Sequence, residues 1–377
     1  MQRGQLPFFA YIGTPGPHAS SIPAWWHRRR TATLKRHAPR TPNFNALASD
    51  HHPLLSSAPP LDAAALDHVD TQFRARWGTL WAIDDMVAGI LRSVDELGIG
   101  NNTYIMLTSD HGFHLGQFRI PQGKEMPYET DIRVPFFCRG PGIAPGTQIP
   151  QLIANIDIAP TLCDLAGLPV PPLMDGRSFA PLLRGGPGIV HDNVLSKPWR
   201  THFLVEFYDG SVREWGSVSC WDTDPDCATD LEVPGPWGPN CTRVPHTCQG
   251  VGGHGLGAGC PCKEGGSLPA NPCPGPMGAE GCPHRQRHDF LFSDPDYNWR
   301  ALRVINVTHN FTFVQFDPNR TSISNVTFFE FYDLSKDEWQ MRNLWPSLPA
   351  HTRSALETEM ERYVTCSGSR TTPSTCE

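Results

Sequence analysis

The sequence lacks an apolar run long enough to cross a bilayer, which excludes membrane-spanning helices. It also lacks an excess of basic charge, because 31 Lys and Arg face 38 Asp and Glu and the net charge is −7. Acidic residues are missing before Asp50, whereas seven Lys or Arg occur there. The chain of 377 residues is long enough for one large domain or two smaller ones. We therefore expect no nucleic-acid partner and no membrane span.

A secretory signal peptide is missing too, because the apolar run in MQRGQLPFFAYIG is short and is broken by Pro7. Yet eight of the twelve cysteines lie between Cys220 and Cys282, and Asn-x-Ser/Thr sequons occur along the chain. Clustered cysteines and sequons are typical of lysosomal, extracellular or cell-surface proteins, although sequons also arise by chance. We expect the secretory pathway, with the signal peptide upstream of Met1. The predicted glycosylation sites are Asn101, Asn240, Asn306, Asn310, Asn319 and Asn325.

The spacing of apolar residues predicts an α/β domain. PFFAYIG is predicted to be a buried strand, and residues 62–97 a long helix capped by Asp62 and ended by Gly98. TYIMLTS (103–109) and VPFFCRG (134–140) are predicted strands, and 156–168 a helix ending at Gly167. This alternation favours a mostly parallel sheet, in which sites form beyond the carboxyl ends of the strands.

A change of composition divides the chain into three predicted parts. Residues 1–190 are predicted to form the α/β domain, 191–290 a Cys/Gly/Pro-rich insertion that its composition predicts to be disulfide-stapled, and 291–377 a small antiparallel α+β subdomain. Zinc binding by the insertion is the alternative to disulfides. Its ligands would be Cys260, Cys262, Cys273 and Cys282, but their spacing is not that of a standard zinc ribbon.

The segment SDHGFHLGQF (109–118) follows a predicted strand directly. Asp110 and His111 could form half of a divalent-cation site there, and a polar strand-end loop is the alternative. Asp84 and Asp85 are a poorer metal pair, because adjacent side chains on a helix diverge by about 100°. Two loop residues, Lys124 and His18, are candidates for binding an anion, although a loop lysine or histidine is more often solvated or structural.

Together these motifs resemble the second half of a sulfatase. The motifs are TPGPH, NNTYIMLTSDHGFHLGQF, GKEMPYETDIRVPFFCRGPGI, IANIDIAPTLCDLAGLP and MDGRSF. The resemblance is nearest to N-acetylglucosamine-6-sulfatases, heparan 6-O-endosulfatases and algal arylsulfatases. FFEFYDLSKDEWQMRNL and CSGSRTTPSTC resemble the end of the glucosamine-6-sulfatases. The resemblance implies an alkaline-phosphatase-like three-layer α/β sandwich, here incomplete, with a mostly parallel sheet and a small C-terminal α+β subdomain.

The resemblance also implies a reaction and a set of site residues. Sulfatases hydrolyse sulfate esters with a formylglycine nucleophile and a Ca²⁺ ion that holds the sulfate. Asp110 would be a calcium ligand, with His111 in the neighbouring position, and Lys124 and His18 would be catalytic, binding sulfate and protonating the leaving group. His114 and Gln117 would face the sugar. The implied substrate is a sulfated polysaccharide or glycosaminoglycan carrying 6-O-sulfated N-acetylglucosamine.

One departure from the family is large. Formylglycine is made from the cysteine of a Cys-x-Pro-x-Arg motif by the formylglycine-generating enzyme, and none of the twelve cysteines lies in that motif. We therefore expect a truncated chain whose parent is an enzyme but which is itself inactive.

Two other functions remain open. One is a zinc phosphodiesterase or phosphatase of the same superfamily, because the imidazole of His111 suits zinc better than calcium. A catalytically inactive glycan-binding fragment would use the basic stretch from Arg28 to Arg40 with Trp25 and Trp26.

Overall fold

The computed structural model describes residues 7–18, 21–186, 188–189, 195, 198–208, 298–317 and 323–365. Most of the predicted insertion lies outside the described residues, as do its alternative zinc ligands, the terminal CSGSRTTPSTC and the sequons at Asn240 and Asn319.

Three helices form the first part of the chain: α1 (Arg28–Ala32), α2 (Pro53–Ser56) and α3 (Ala63–Glu96). The predicted ends of α3 are confirmed. Asp62 Oδ1 accepts a hydrogen bond from Ala65 N at 2.9 Å, and Gly98 ends the helix with a φ of +67°. Among the described residues, no helix combines the length and the apolar character that a membrane span requires.

The prediction of a buried strand at PFFAYIG is wrong. Residues 7–13 form no strand, and the side chains of Phe8, Phe9 and Tyr11 are 66%, 72% and 87% exposed. Apolar composition alone predicted burial, but burial needs a neighbouring element. No strand among the described residues pairs with this segment.

The middle of the chain alternates short strands and helices, as predicted for an α/β class. These elements are β1 (Ile105–Leu107), α4 (Glu129–Ile132), β2 (Phe137–Arg139), β3 (Thr147–Gln148), α5 (Ile158–Leu165), α6 (Ala180–Leu183) and β4 (Gly188–Ile189). The predicted helix end at Gly167 is confirmed by its φ of +70°.

The strand directions differ from the expected mostly parallel sheet. β1 pairs with β2 antiparallel, with Met106 opposite Cys138, and β3 pairs with β4 in parallel. A parallel pair needs a crossover, usually a helix of substantial length. Between β1 and β2 the chain instead folds back through a loop closed by a bridge between His114 and Gly123. Antiparallel pairing of β1 and β2 follows from that loop.

The C-terminal part is a four-stranded antiparallel sheet covered by a helix. In chain order its elements are β5 (His202–Phe207), β6 (Asn298–Ile305), β7 (Asn310–Asp317), β8 (Phe328–Asp333) and α7 (Ala350–Val364). β6 to β8 and α7 match the predicted α+β subdomain. β5 pairs along its whole length with β6, although its residues lie in the range predicted to be insertion.

Side chains of this sheet alternate between two faces, as the period of a strand requires. Leu302 and Val304 pack with Met360 of α7, whereas Ala301 and Val314 pack with Leu55 of α2 and with the loop before α4. The sheet thus lies between α7 and the loop that carries the candidate site.

Candidate active site

Asp110 and His111 lie where β1 ends, as predicted. Asn155 holds this loop, because its side-chain NH2 donates to the carbonyl oxygens of Ser109 and Asp110 at 3.1 and 3.0 Å. The Asp110 side chain is 81% exposed, so its carboxylate is open to solvent and to a ligand. Partial burial raises the pKa of Asp110, but the charge of His111, backbone NH groups and the Ser109 hydroxyl outweigh that effect and lower it overall.

The ring of His111 lies between two oxygen acceptors. Its Nδ1 lies 2.7 Å from the carbonyl oxygen of Gly112, and because a carbonyl only accepts, Nδ1 is the donor in this contact. Its Nε2 lies 3.3 Å from Asp110 Oδ2.

His18 and Lys124, which are 106 residues apart, come together. Lys124 Nζ lies 3.5 Å from His18 Nε2, and because an ammonium group has no lone pair it donates and the imidazole accepts. The turn that carries His18 is tied to α3, since Arg76 Nη1 donates to the carbonyl oxygen of Pro17 at 2.8 Å.

The loop that carries Lys124 is built around Asp131. The Asp131 carboxylate accepts a hydrogen bond from His114 Nδ1 at 2.9 Å and another from the backbone NH of Met126 at 2.9 Å. Its own carbonyl oxygen accepts from Gly112 N at 2.7 Å. Asp131 therefore joins the strand-end loop of Asp110 to the loop of Lys124. Sequence reasoning missed its role, although it stands in the GKEMPYETDIRVP motif.

The C-terminal sheet supports the same loop from the other side. Trp299 Nε1 donates to the carbonyl oxygen of Glu125 at 2.8 Å, and Arg303 Nε donates to Glu129 Oε1 at 2.9 Å. Both donors lie on β6, so the position of Lys124 depends on strands that are more than a hundred residues away in the sequence.

The two predicted sugar-facing residues are held inside the loop. The His114 side chain is 3% exposed, and its Nε2 is buried with no hydrogen-bond partner among the described residues. Gln117 Oε1 accepts from the backbone NH of Leu115 at 2.6 Å and closes a turn. Their substrate role stays a prediction.

Asp110 and His111 do not by themselves form a calcium site. Calcium takes about six to eight oxygen ligands. Among the described residues, no group of three His, Cys, Asp or Glu side chains is placed to hold a metal ion. The exposed Asp110 carboxylate supplies one oxygen ligand of the kind that calcium binds.

Other predicted features have defined positions. Asp84 and Asp85 are exposed on α3, and Asp85 accepts hydrogen bonds from Trp26 and His27. Two cysteines, Cys138 and Cys163, are free among the described residues, and burial raises the pKa of the Cys138 thiol to about 11. Of the described sequons, those at Asn101 and Asn325 are exposed and those at Asn306 and Asn310 are half-buried.

The family model for sulfatases matches residues 1–168. This match is to a sulfatase family-model domain. The matched region contains Asp110, His111, Lys124 and His18, and the resemblance predicted from the motifs is confirmed.

Known proteins similar to this chain include two sulfatases. An N-acetylglucosamine-6-sulfatase from Capra hircus is 40% identical over 221 residues, which are 58% of this chain and 38% of that protein. A putative extracellular sulfatase Sulf-1 homolog from Caenorhabditis elegans is 37% identical over 204 residues, 54% of this chain and 29% of that protein. The chain thus spans well under half the length of these relatives.

A solved structure shows the fold. A phosphonate monoester hydrolase from Silicibacter pomeroyi matches with a TM-score of 0.54 and 20% identity, over 92% of this chain and 54% of that chain. Together with the sulfatase match, this likeness confirms the alkaline-phosphatase-like α/β class.

Proposed function

We propose that this chain is part of a sulfuric ester hydrolase that removes 6-O-sulfate from N-acetylglucosamine-type residues of sulfated glycans. The observation that carries the proposal is the contact of 3.5 Å between Lys124 Nζ and His18 Nε2 within a sulfatase-family region. The substrate follows from the name of the relative, an N-acetylglucosamine-6-sulfatase at 40% identity.

The pair suits a sulfate ester because it supplies a fixed charge and a movable proton. Lys124 donates to a sulfate oxygen and offsets its negative charge. When a sulfate oxygen replaces His18 as the acceptor of the Lys124 hydrogen bond, His18 Nε2 can take up a proton from water. His18 then donates that proton to the bridging ester oxygen as the sulfur–oxygen bond breaks, so the sugar leaves as an alcohol.

The nucleophile of the proposed reaction is not a residue of this chain, since no cysteine lies in Cys-x-Pro-x-Arg. In the complete enzyme a formylglycine, made by the formylglycine-generating enzyme, would supply the hydroxyl that attacks sulfur. The sulfatase relatives indicate a metal-dependent enzyme. We propose Ca²⁺ as the metal, with Asp110 as one carboxylate ligand and His111 beside it.

The name of one relative, an extracellular sulfatase, also favours the secretory pathway, and we propose a lysosomal or extracellular location with a sulfated glycosaminoglycan as partner. Exposure of the sequon residues Asn101 and Asn325 is compatible with glycosylation at both.

Ligand binding tests the pair without needing turnover. We expect N-acetylglucosamine-6-sulfate to bind the chain and Lys124→Ala to abolish that binding. Titration calorimetry measures both affinities. Lys124→Arg keeps the charge and should retain part of the affinity. Arg133→Ala is the matched control, because Arg133 is 78% exposed and lies nearby in the sequence. Equal affinity of wild type and Lys124→Ala would overturn the proposal.

Metal analysis distinguishes the proposed sulfatase from the alternative of a zinc phosphodiesterase. A zinc phosphodiesterase would use the imidazole of His111, which zinc prefers more than calcium does. Stoichiometric zinc in the complete protein, with hydrolysis of a phosphodiester and none of a sulfate ester, would replace the sulfatase by that enzyme.

A further inference from the structure

A basic and aromatic surface begins at Trp25, seven residues after His18. We define it as the α1 surface, formed by Trp25, Trp26, Arg29 and Arg30. The Trp25 and Trp26 side chains are 75% and 53% exposed, and both arginines are exposed. Exposed indole rings next to exposed guanidinium groups are uncommon on a surface that contacts only water.

The position of the α1 surface is set by α3. α1 packs closely on α3 at Gly78, where a Cβ atom would lie 2.4 Å from Thr31 Oγ1. The turn before His18 packs on the next residue of α3, since a Cβ at Gly16 would lie 3.3 Å from Thr79 Cβ. The two segments therefore dock on consecutive residues of one helix.

The spacing along α3 sets how far apart the two anchors lie. Arg76 holds the backbone at Pro17, and Asp85 holds Trp26 through a hydrogen bond of 3.0 Å. Nine residues of an α-helix rise about 13 Å and make about two and a half turns, so the two anchors lie on opposite faces of α3. A ligand that reaches both segments therefore has to be a chain of several linked sugar rings.

The charges of this surface are only partly compensated. Arg30 lies over the Trp81 ring at 3.9 Å, and its charge interacts with that of Asp85, which accepts hydrogen bonds from Trp26 and His27. Among the described residues Arg29 makes no ion pair, whereas Arg40 further along is paired with Asp70 at 2.7 Å. Arg29 therefore leaves positive charge available to a ligand.

We infer that the α1 surface is a subsite for the continuation of a sulfated glycan chain whose terminal ester lies at His18 and Lys124. The apolar face of a pyranose ring packs on a flat indole ring, and sulfate groups along the chain pair with Arg29 and Arg30. The α1 surface favours a sulfated polysaccharide because it combines indole rings on which sugars stack with arginines that bind anions. The inference rests on the proposed function for the position of the terminal ester.

Binding of three probes to the full chain tests the inference. The probes are a heparin octasaccharide, the same oligosaccharide after desulfation, and N-acetylglucosamine-6-sulfate. The double variant Trp25→Ala/Arg29→Glu should weaken octasaccharide binding roughly tenfold and leave the monosaccharide affinity unchanged. Desulfated oligosaccharide should bind weakly to wild type and variant alike. In about 1 M salt, where the screening length is about 3 Å, the difference between the proteins should shrink.

Arg92→Glu is the matched control, because Arg92 is an exposed arginine of α3, the helix on which α1 packs. Unchanged octasaccharide binding by the double variant would overturn the inference, and so would an equal loss in Arg92→Glu. The two proposals fail separately. If Lys124→Ala leaves monosaccharide binding intact while the double variant loses octasaccharide binding, the α1 surface is supported and the proposed ester site at Lys124 is overturned.

Discussion

Asp131 accepts hydrogen bonds from both His114 Nδ1 and the backbone NH of Met126, so one carboxylate fixes the two sides of the loop that carries Lys124. The side chains of Asp131 and His114 are 1% and 3% exposed. A buried carboxylate with such donors stabilises the loop and the fold together.

Asp131→Asn should therefore destabilise the protein by about 2–4 kcal/mol, because an amide oxygen accepts more weakly than a carboxylate and the new NH2 would face the His114 Nδ1 donor in a buried place. Chemical denaturation measures the loss, and binding of N-acetylglucosamine-6-sulfate should weaken in the same variant. Asp84→Asn, on the exposed face of α3, is the control and should change stability little. A stability equal to wild type in Asp131→Asn would contradict this role.

Gly112→Ala should lower the stability by about 1–3 kcal/mol, since its Cβ would lie 2.0 Å from the carbonyl oxygen of Thr130. The control is Gly89→Ala in α3, where no atom lies within 4 Å of the added Cβ. Alanine is favoured over glycine in a helix by roughly 0.5–1 kcal/mol, so that variant should be slightly more stable. Thermal denaturation distinguishes the two signs. Similar shifts in both variants would show that the close contact at Gly112 has no energetic consequence.

The stability should fall on acidification because of His52. Burial lowers the pKa of His52 from 6.5 to about 4. Below pH 6.5 the unfolded chain takes up a proton that the folded chain refuses until about pH 4. Stability is thus lost as the pH falls through that window, by up to about 1.4 kcal/mol per unit from this group.

Denaturation curves at several pH values check the effect of His52. His52→Asn can still cap α2 but cannot titrate, so its stability should depend less on pH between 6.5 and 4. His351→Asn, an exposed position on α7, should keep the wild-type slope. Parallel slopes for wild type and His52→Asn would remove His52 as the cause.

Purified chain of residues 1–377 should not hydrolyse an aryl sulfate, because it has no Cys-x-Pro-x-Arg from which formylglycine is made. A chromogenic aryl sulfate measures this directly. Turnover that survives purification and disappears in Lys124→Ala would mean that another group of this chain attacks sulfur.

Local signals predicted the long helix α3 well, whereas the short helices α1, α2, α4 and α6 were not predicted. Asp62 and Gly98 marked the ends of α3, because a carboxylate cap and a left-handed glycine act within one turn of the chain. The strand at 7–13 was predicted wrongly, since the burial of Phe8 and Phe9 depends on partners that spacing does not reveal. Apolar periodicity likewise says nothing about direction, which is why the antiparallel pairing of β1 with β2 was not predicted.

Some residues of the candidate site could likewise be predicted from local sequence and others could not. Asp110 and His111 are adjacent to a predicted strand, so local reasoning found them. His18 and Lys124 were linked only through the family resemblance, because no local rule joins residues so far apart in the sequence. The role of Asp131 depends on His114 and Met126 approaching one carboxylate. Those contacts are made in three dimensions and cannot be read from the sequence motif that contains Asp131.

The pairing of β5 with β6 has a consequence for how the chain is assembled. Phe207 and Trp299 are opposite each other in the sheet, so the 91 residues between them leave and re-enter at neighbouring points. Opposite Cα atoms in an antiparallel pair lie about 4.5–5.5 Å apart, a gap that a short hairpin turn closes. The register of β5 with β6 therefore does not require any particular number of residues between Phe207 and Trp299. Shortening the connection by protein engineering should leave that register unchanged.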